Sequence, residues 1–406
     1  MSSAIASIDS VRTPLRRAWS RFPGRARWRR VVASEGYQQF VALPPQHAYY
    51  RLTPRRLANL YLSRLEYLLG RKRLWSSPIK LTVESTNVCN LRCPACFTGA
   101  GETGRARGAM APDVYERLLR ELGPYLFEIE FHNWGEPLLA KQLVPMIEAA
   151  ARQGIATTVS TNFSIPFDAE RAERLVRSGL SLLGVSIDGA RQETYEQYRV
   201  RGDLDLVLRN CRLVRDAKRR LGSATPRLIW EFHVFEHNAG DVALARTMAA
   251  ELEMEISIDK GWVVGEEWDR GGDFAYFFNP RPYRCPFLWR HAVVNNDGGV
   301  APCCGTFHKE DDRGRLAAGP DAPGARTFRE VWNNDKFRLA RRFFDSRTGS
   351  AADRQDVCFD CPITVSFEGL KRHRAAGGTR ADFEVPYSTN DCFNYFWERR
   401  PPRPSE

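Results

Sequence analysis

The chain has 406 residues, 43% of them hydrophobic, enough to form one large domain and a smaller one. No run of about 20 apolar residues occurs, and the stretch after Arg17 is arginine-rich and polar. These features argue against a transmembrane helix and against a signal peptide. We therefore predict a cytoplasmic location. The net charge of +11 lies in residues 1–80, where 16 basic and three acidic residues give +13. The nearly neutral remainder argues against nucleic-acid binding through a broad basic face.

Residues 1–75 are predicted to form a basic extension that contains one amphipathic helix over 54–71. Apolar side chains recur there at helical spacing, at Leu57, Leu60, Tyr61, Leu65, Leu68 and Leu69. The other side of the helix is polar and carries Arg55, Arg56, Asn59 and Arg64. One interpretation is a helix that packs on the main domain. The other is a peripheral membrane contact, because the polar face is basic.

From residue 79, strands and helices alternate in six units. Residues 79–83 alternate apolar and polar side chains, as a strand does. Five further strands are predicted near 127–131, 155–160, 182–187, 228–235 and 255–258, and the helices at 111–123, 141–152, 168–178, 203–220 and 241–252. Strict alternation implies a parallel sheet with right-handed crossovers. Six units are too few for an eightfold barrel, so we predict an α/β fold, a partial (β/α)6 TIM-type barrel over 76–275, with its chemistry at the carboxyl ends of the strands.

Beyond residue 275 the sequence breaks into short segments rich in Gly, Pro and Cys. We predict a small Cys-rich domain over 276–370, stabilised by a bound metal because it lacks a large core of its own. A C-terminal tail follows over 371–406. The chain has ten cysteines, and in a reducing compartment grouped cysteines are more often metal ligands or catalytic groups than disulfides.

A cysteine triplet follows the first predicted strand. Cys89, Cys93 and Cys96 have C-x3-C-x2-C spacing, and thiolates are the usual ligands of iron–sulphur clusters. Three local ligands leave one metal position open, which is typical of catalytic sites. A zinc site is the alternative, but such sites usually close with a fourth Cys or His, which this loop does not offer. The triplet after the first strand closely resembles the signature of the radical S-adenosylmethionine (SAM) superfamily.

This resemblance implies that Cys89, Cys93 and Cys96 hold a 4Fe–4S cluster, whose fourth iron binds the amino and carboxylate groups of SAM. An electron from a flavodoxin- or ferredoxin-type donor would then cleave SAM to a 5′-deoxyadenosyl radical. Ala95 departs from the family pattern, in which a larger apolar or aromatic residue contacts adenine. Phe97 is the candidate that compensates.

The ends of the next strands carry the other predicted SAM contacts. Trp134-Gly135-Glu136-Pro137 is similar to the family's Gly-Glu-Pro motif for the amino group of SAM, with Trp134 in place of a glycine. The remaining candidates are Ser160 and Asn162 for the ribose, Ser186 and Arg199 for the carboxylate, Asp188, and Asn238 on the adenosine side. For Asp188 a helix N-cap is the alternative. Acid–base candidates by location alone are His132, Glu231 and His233, each of which could instead be a satisfied interior polar group.

A second cysteine set comprises Cys285, Cys303 and the C-x2-C pair Cys358 and Cys361. Asn296-Asp297-Gly298 predicts a hairpin turn that brings Cys285 and Cys303 together. Four thiolates suit zinc or a fully ligated 4Fe–4S cluster. Beside the first motif, the region is similar to the auxiliary-cluster half-domain called Twitch, related to the SPASM domain.

The other cysteines qualify this assignment. Cys304 is an alternative ligand to Cys303. Phe367 stands where a full SPASM domain has a further cysteine, so the resemblance implies one auxiliary 4Fe–4S cluster. Cys211 lies on an apolar helical face and is predicted to pack in the core, and Cys392 lies in an aromatic tail.

The predicted function is that of a radical SAM oxidoreductase that abstracts hydrogen from an unactivated C–H bond of a small-molecule or peptide substrate. The family's peptide maturases often carry a strand-rich N-terminal module. The helical extension here differs from that, which favours a sugar or aminocyclitol-type substrate. Alternatives are a peptide maturase, a radical methyltransferase, and a non-enzymatic protein with two metal centres that binds a partner through its basic arm.

Overall fold

The computed structural model describes residues 42–45, 48–102, 104–261, 284–316, 326–378 and 395. The chain divides into two units, Met1–His47 and Ala48–Glu406, and every element below belongs to the second. Predictions for residues 1–41 and for Cys392 lie outside the described residues. Among the residues that the structure describes, no helix is both long and apolar enough to cross a bilayer.

Six parallel strands alternate with helices, as predicted. The strands are β1 (Lys80–Val83), β2 (Glu128–Phe131), β3 (Ala156–Thr161), β4 (Leu182–Ser186), β5 (Arg227–Val234) and β6 (Glu255–Lys260). They lie side by side in chain order and pair in parallel throughout. The α/β fold predicted from the alternating pattern is therefore confirmed.

The helices of this region lie close to their predicted positions. They are α1 (Pro54–Leu69), α2 (Pro112–Leu122), α3 (Leu143–Arg152), α4 (Ala169–Arg177), α5 (Gln192–Tyr198), α6 (Leu204–Leu221) and α7 (Val242–Glu251). Only α5 was not predicted from the sequence. The later helices are α8 (Phe328–Trp332), α9 (Asp335–Arg342) and α10 (Pro362–Ala375).

The two faces of the sheet differ in character. Side chains such as Leu81 and Ile129 pack against the helices in one large buried apolar cluster, which also contains Cys211, as predicted. Successive side chains of a strand point to opposite faces. The intervening residues are therefore directed to the other face, which we call the inner face. They include Lys80, Thr82, Glu128, Glu130, Thr158, Ser160, Ser186, Glu231 and His233.

A hairpin from the Cys-rich region extends the same sheet. Strand β7 (His291–Val294) pairs in parallel with β1 and antiparallel with β8 (Gly299–Ala301), and β9 (Gly314–Arg315) pairs with β8. Gly298 lies in the predicted turn with a φ of 84°, a conformation that glycine adopts without strain. The hairpin prediction is confirmed. The sheet thus contains strands from both predicted domains. The boundaries of these domains stay a prediction.

The packing of α1 agrees with the predicted orientation at Leu60, which is fully buried, and differs from it at other positions. Arg56, Asn59 and Arg64, assigned to an outward polar face, are buried. Leu65 and Leu68, assigned to the buried face, are exposed. The physical reason is hydrogen bonding, because the main domain presents carbonyl groups to this helix. The guanidinium of Arg56 donates to backbone oxygens at the ends of α2 and α3.

Candidate active site

The loop after β1 brings the cysteine triplet together. Burial raises the pKa of Cys89 to about 12 and that of Cys93 to about 11, and the neighbouring thiols of the triplet add to both shifts. Burial also raises the pKa of Cys96. The Cys89 sulphur accepts from the Leu91 N–H at 3.4 Å. Three thiols on one short loop, removed from bulk water, form a compact donor set for a metal cluster.

Two glycines permit the close backbone approaches on which this loop depends. A Cβ on Gly99 would clash with the backbone of Cys93, and one on Gly135 would clash with the carbonyl oxygen of Thr86. The Gly135 loop is further joined to the triplet loop because the Glu136 N–H donates to the Val88 oxygen at 2.8 Å. Gly135 therefore lies beside the cysteines, as the motif predicted.

The carboxylate of Glu136 has partners on the neighbouring strand end. It accepts from the Thr161 hydroxyl at 2.6 Å, the Leu138 N–H at 3.0 Å and the Asn162 N–H at 2.8 Å. Burial raises its pKa, which these donors partly offset. The carboxylate thereby connects the ends of β2 and β3. A carboxylate has about four acceptor positions, so the predicted contact between this side chain and an ammonium group stays a prediction.

Asn162 reaches the triplet directly. Its amide Nδ2 lies 3.7 Å from the Cys89 sulphur and donates to Asn90 Oδ1 at 3.1 Å. Ser160, two residues earlier on β3, donates to the Glu231 carboxylate at 2.7 Å. Both predicted ribose contacts therefore lie on the inner face, one of them against the cysteine loop.

Arg199 connects the triplet to the end of β4. It donates to Asp188 at 2.6 Å and hydrogen-bonds the Cys93 sulphur. Burial alone would raise the pKa of Asp188, but Arg199 and His233 hold it at about 2. Helix α5 begins at Gln192, with Arg191 as its N-cap, so the N-cap interpretation of Asp188 is wrong. Asp188 is a buried ion-pair partner that positions Arg199 beside Cys93.

Two further predicted SAM contacts are buried and have partners within the protein. Phe97 is 1% exposed and stacks on Phe307, with ring centroids 5.0 Å apart, so its contact with adenine stays a prediction. The Asn238 side chain donates to the Asp188 and His233 oxygens, both at 2.9 Å, and accepts from Phe235 N–H. All its polar groups are thus used within the protein.

The inner face carries a network of charged groups close to these residues. Glu130 forms an ion pair with Lys80 at 2.6 Å and lies 3.7 Å from His291. Burial would raise the pKa of Glu130, yet the imidazoles of His132 and His291 and the Lys80 ammonium group lower it to about 2.

Glu231, on β5, lies in the same face and accepts from Ser160 and from Ser186 at 3.1 Å. A Cβ on Gly184 would clash with its carboxylate. Within the described residues Glu231 forms no salt bridge with Lys or Arg, unlike Glu130 and Asp188.

The second cysteine set also converges. The thiols of Cys285, Cys358 and Cys361 are all close enough to Cys303 to raise its pKa. Burial raises the pKa of Cys358 and of Cys361 to about 12. The charged groups that influence the pKa of Cys304 are Glu130 and Lys80 instead. Of the two adjacent cysteines, the geometry thus favours Cys303 as a ligand.

An arginine that the sequence analysis missed lies against this set. Arg313 is buried and donates to the Cys358 sulphur at 3.0 Å and to Asp356 Oδ1 at 2.8 Å. Asp356 precedes the C-x2-C pair by two residues, but its partner lies 43 positions earlier. A buried cation is seldom found without a partner. No local sequence pattern shows which arginine is buried, however, so Arg313 was missed.

The ligand spacing of the thiols, and not a preformed ion site, underlies the iron–sulphur assignment. In the part of the chain that the structure describes, no three His, Cys, Asp or Glu side chains form a group that could hold one metal ion.

Comparisons with known proteins agree with this chemistry. The radical SAM superfamily model matches residues 83–225, and that of an iron–sulphur cluster-binding domain, SPASM, matches residues 285–362. Fe-coproporphyrin III synthase of Methanosarcina barkeri is 32% identical over 130 residues, which is 31% of this chain and 32% of that protein. PqqA peptide cyclase of Rhodopseudomonas palustris is 29% identical over 114 residues, 28% of this chain and 29% of that protein.

The alignments thus span about a third of these curated relatives. Among solved structures, Streptococcus suis SuiB bound to S-adenosylmethionine has a TM-score of 0.52 at 14% identity, covering 75% of this chain and 76% of that one. This likeness supports the partial-barrel fold. The two family models identify in this chain a domain of the radical SAM superfamily followed by a SPASM-type iron–sulphur cluster-binding domain, and these domains imply SAM and iron–sulphur clusters as cofactors.

Proposed function

We propose that Cys89, Cys93 and Cys96 hold the SAM-binding cluster. Their proximity on one loop and the hydrogen bonds to their sulphurs from Asn162 and Arg199 support this assignment. Donors of this kind stabilise thiolate ligands. We further assign Asn162, Arg199 and the backbone of Gly135–Pro137 to the edge of the SAM site, with Ser160 and Ser186 behind them on the inner face.

We also assign one auxiliary 4Fe–4S cluster to Cys285, Cys303, Cys358 and Cys361. Four thiolates close a cluster completely, so this one would have no open iron position. The barrel would then comprise residues 76–275 and the auxiliary domain residues 276–370. The cytoplasmic location and the flavodoxin- or ferredoxin-type donor stay predictions.

The polar inner face favours a small hydrophilic substrate. When bound, the cluster and SAM supply a 5′-deoxyadenosyl radical that removes a hydrogen atom from an unactivated C–H bond. Glu231 is the carboxylate placed to receive such a substrate, because hydroxyls orient it and no Lys or Arg within the described residues neutralises it. It can accept from a substrate hydroxyl or ammonium and can take a proton from a hydroxyl. This observation carries our proposal of dehydrogenation of a sugar or aminocyclitol-type substrate, in which the radical would take a hydrogen atom from carbon, Glu231 a proton from the hydroxyl, and the auxiliary cluster the one remaining electron.

A peptide maturase is the second candidate. PqqA peptide cyclase is among the relatives, and SuiB has been solved with its precursor peptide SuiA, at a TM-score of 0.51. Against it, residues 48–79 contain one helix and no strand, unlike the strand-rich recognition module typical of such enzymes. The acidic inner face also suits hydroxyl and amino groups better than apolar peptide side chains.

The substrate class can be tested by the stimulation of SAM cleavage. The anaerobically reconstituted protein is incubated with dithionite, SAM and either deuterated aminocyclitols and sugars or short peptides, and 5′-deoxyadenosine is measured by mass spectrometry. We expect the polyols to stimulate cleavage and to transfer deuterium to 5′-deoxyadenosine. Glu231→Gln should weaken the stimulation but retain uncoupled cleavage, whereas the exposed-site control Glu173→Gln should behave as wild type. Stimulation by peptides alone would favour the maturase.

A further inference from the structure

Helix α1 presents a row of leucines to solvent. Leu65, Leu68 and Leu69, which we call the leucine stripe, are 47%, 58% and 63% exposed. Their spacing of three and four residues puts them side by side on one face of the helix. Trp75, just beyond the helix, is 63% exposed as well. Contiguous exposed apolar surface of this kind is typical of interaction sites.

Buried hydrogen bonds on the opposite side fix the orientation of the stripe. Arg56 donates to the carbonyl oxygens of Gly154 at 2.6 Å, Gln153 at 3.0 Å and Gly123 at 3.2 Å. Asn59 exchanges two hydrogen bonds with the backbone of Ser77. Turning the leucines inward would leave these buried groups unpaired, at about 1–3 kcal/mol each. The outward orientation is therefore a property of the fold.

Glu66 adds a third contact of this type. Its carboxylate accepts from the backbone N–H groups of Trp75 at 2.8 Å and Ser76 at 3.1 Å, and from the Ser76 hydroxyl at 2.6 Å. These bonds hold the segment after the helix against it, so Trp75 stays close to the C-terminal end of the stripe.

The apolar surface has a basic border. Arg71 and Arg73, directly after the helix, are exposed, and the Arg71 guanidinium lies 5.2 Å from the centre of the Trp75 ring. Residues 48–79 contain one acidic residue, Glu66, and it is buried. Leucine beside arginine and tryptophan is the composition of helices that lie in the interface of an anionic bilayer.

We propose that this surface docks on anionic membranes, with the leucine stripe and Trp75 entering the lipid interface and Arg71 and Arg73 binding lipid phosphates. Electrostatic repulsion argues against two other occupants of this surface, residues 1–47 and a second copy of the chain. Residues 1–47 carry eight basic and two acidic residues, and a second copy would bring the same basic border. Either would juxtapose like charges, whereas an anionic headgroup layer complements them. This proposal does not depend on the reaction proposed above.

The test is flotation of the full-length, cluster-loaded protein with vesicles of phosphatidylcholine mixed with phosphatidylglycerol, and with phosphatidylcholine alone. We expect binding to the anionic vesicles that weakens as salt increases. Leu65→Ser/Leu68→Ser/Leu69→Ser should weaken partitioning about tenfold or more, because three apolar side chains no longer leave water. Arg71→Glu/Arg73→Glu should also weaken it. Arg120→Glu/Arg152→Glu makes the same charge change at exposed sites on α2 and α3 and should have a much smaller effect.

The outcomes are compared for variants whose circular dichroism spectrum and iron content match those of the wild-type protein. Under that condition they separate the alternatives. Undiminished flotation of the serine variant would overturn the proposal and assign binding to residues 1–47. Absence of flotation by the wild-type protein would overturn it as well. If light scattering shows a wild-type dimer that the serine variant loses, without vesicle binding, the stripe is instead a contact between two copies.

Discussion

Arg313 contacts one of the cysteines that we propose as ligands of the auxiliary cluster. It is buried, its guanidinium donates to the Cys358 sulphur at 3.0 Å, and Asp356 holds it in place through both carboxylate oxygens. A positive charge and a hydrogen bond at a ligand sulphur stabilise the reduced, more negative state of a cluster more than the oxidised state. Arg313 is therefore expected to raise the reduction potential of this centre.

Replacing Arg313 with glutamine should lower the midpoint potential of the auxiliary cluster. The measurement is a redox titration followed by electron paramagnetic resonance, in a Cys89→Ala/Cys93→Ala/Cys96→Ala background that retains only this cluster. Arg315→Gln, at an exposed site on β9, is the matched control and should leave the potential unchanged. Equal potentials in the two variants, at full iron content, would contradict a role for Arg313 in tuning the cluster.

His233 gives the protein a predictable pH dependence. Burial alone would lower its pKa, but the Asp188 carboxylate, 3.0 Å away, raises it above 6.5 overall. A raised pKa contributes stability that is complete below the unfolded-state pKa and is lost as the pH rises through the folded-state pKa. The stability difference between wild type and His233→Gln should therefore shrink from weakly acidic to basic pH. Urea denaturation across this range measures it, and a difference that grows with pH would contradict the assignment.

At the scale of elements, the buried hydrogen bonds of Arg56 anchor α1, in addition to the apolar contacts of Leu60. Arg56→Met leaves several buried carbonyl oxygens without their donor and should lower the free energy of unfolding by about 2–4 kcal/mol. The neighbouring Arg55, exposed and 5.5 Å from the Tyr125 ring, is the matched control. Arg55→Met should cost less than about 1 kcal/mol. Equal losses in urea denaturation would show that Arg56 does not anchor the helix.

The sequence identified those elements whose apolar residues have a regular period. Strands β1 to β6 were found because each shows one apolar face, and the Asn296-Asp297-Gly298 turn located the β7–β8 hairpin. Helix α5 was missed because Gln192–Tyr198 has almost no apolar residues. Arg56 was wrongly assigned to the solvent face of α1 because its partners, the carbonyl oxygens of Gly123, Gln153 and Gly154, belong to distant turns.

In the candidate site, too, features that are local in the sequence were predicted and long-range contacts were not. The cysteines were predicted because their ligand spacing is local in the sequence. The partners of Glu136, Asn238 and Phe97 were not, because they arise from contacts between separate strand ends. Whether a polar side chain faces a ligand or completes an internal network depends on those long-range contacts.

At the scale of the whole molecule, one sheet brings the two cysteine sets towards each other. Strand β1 precedes the triplet and lies between β2 and β7, and β7 and β8 lie between Cys285 and Cys303 in the chain. The Trp134 indole, next to Gly135, donates to the Thr306 oxygen at 3.1 Å, three residues beyond Cys303. The loop that carries Gly135 thus contacts directly the segment that follows Cys303.

The central claim is that the triplet holds a SAM-binding cluster and the second set holds a separate one. The most direct test counts iron and sulphide after anaerobic reconstitution, and records the electron paramagnetic resonance spectrum of the reduced protein before and after SAM is added. We expect about eight irons in the wild type and about four in Cys89→Ala/Cys93→Ala/Cys96→Ala, with a SAM-dependent spectral change in the wild type alone. A SAM-dependent change that persists in the triplet variant, or zinc in place of iron in the wild type, would contradict the claim.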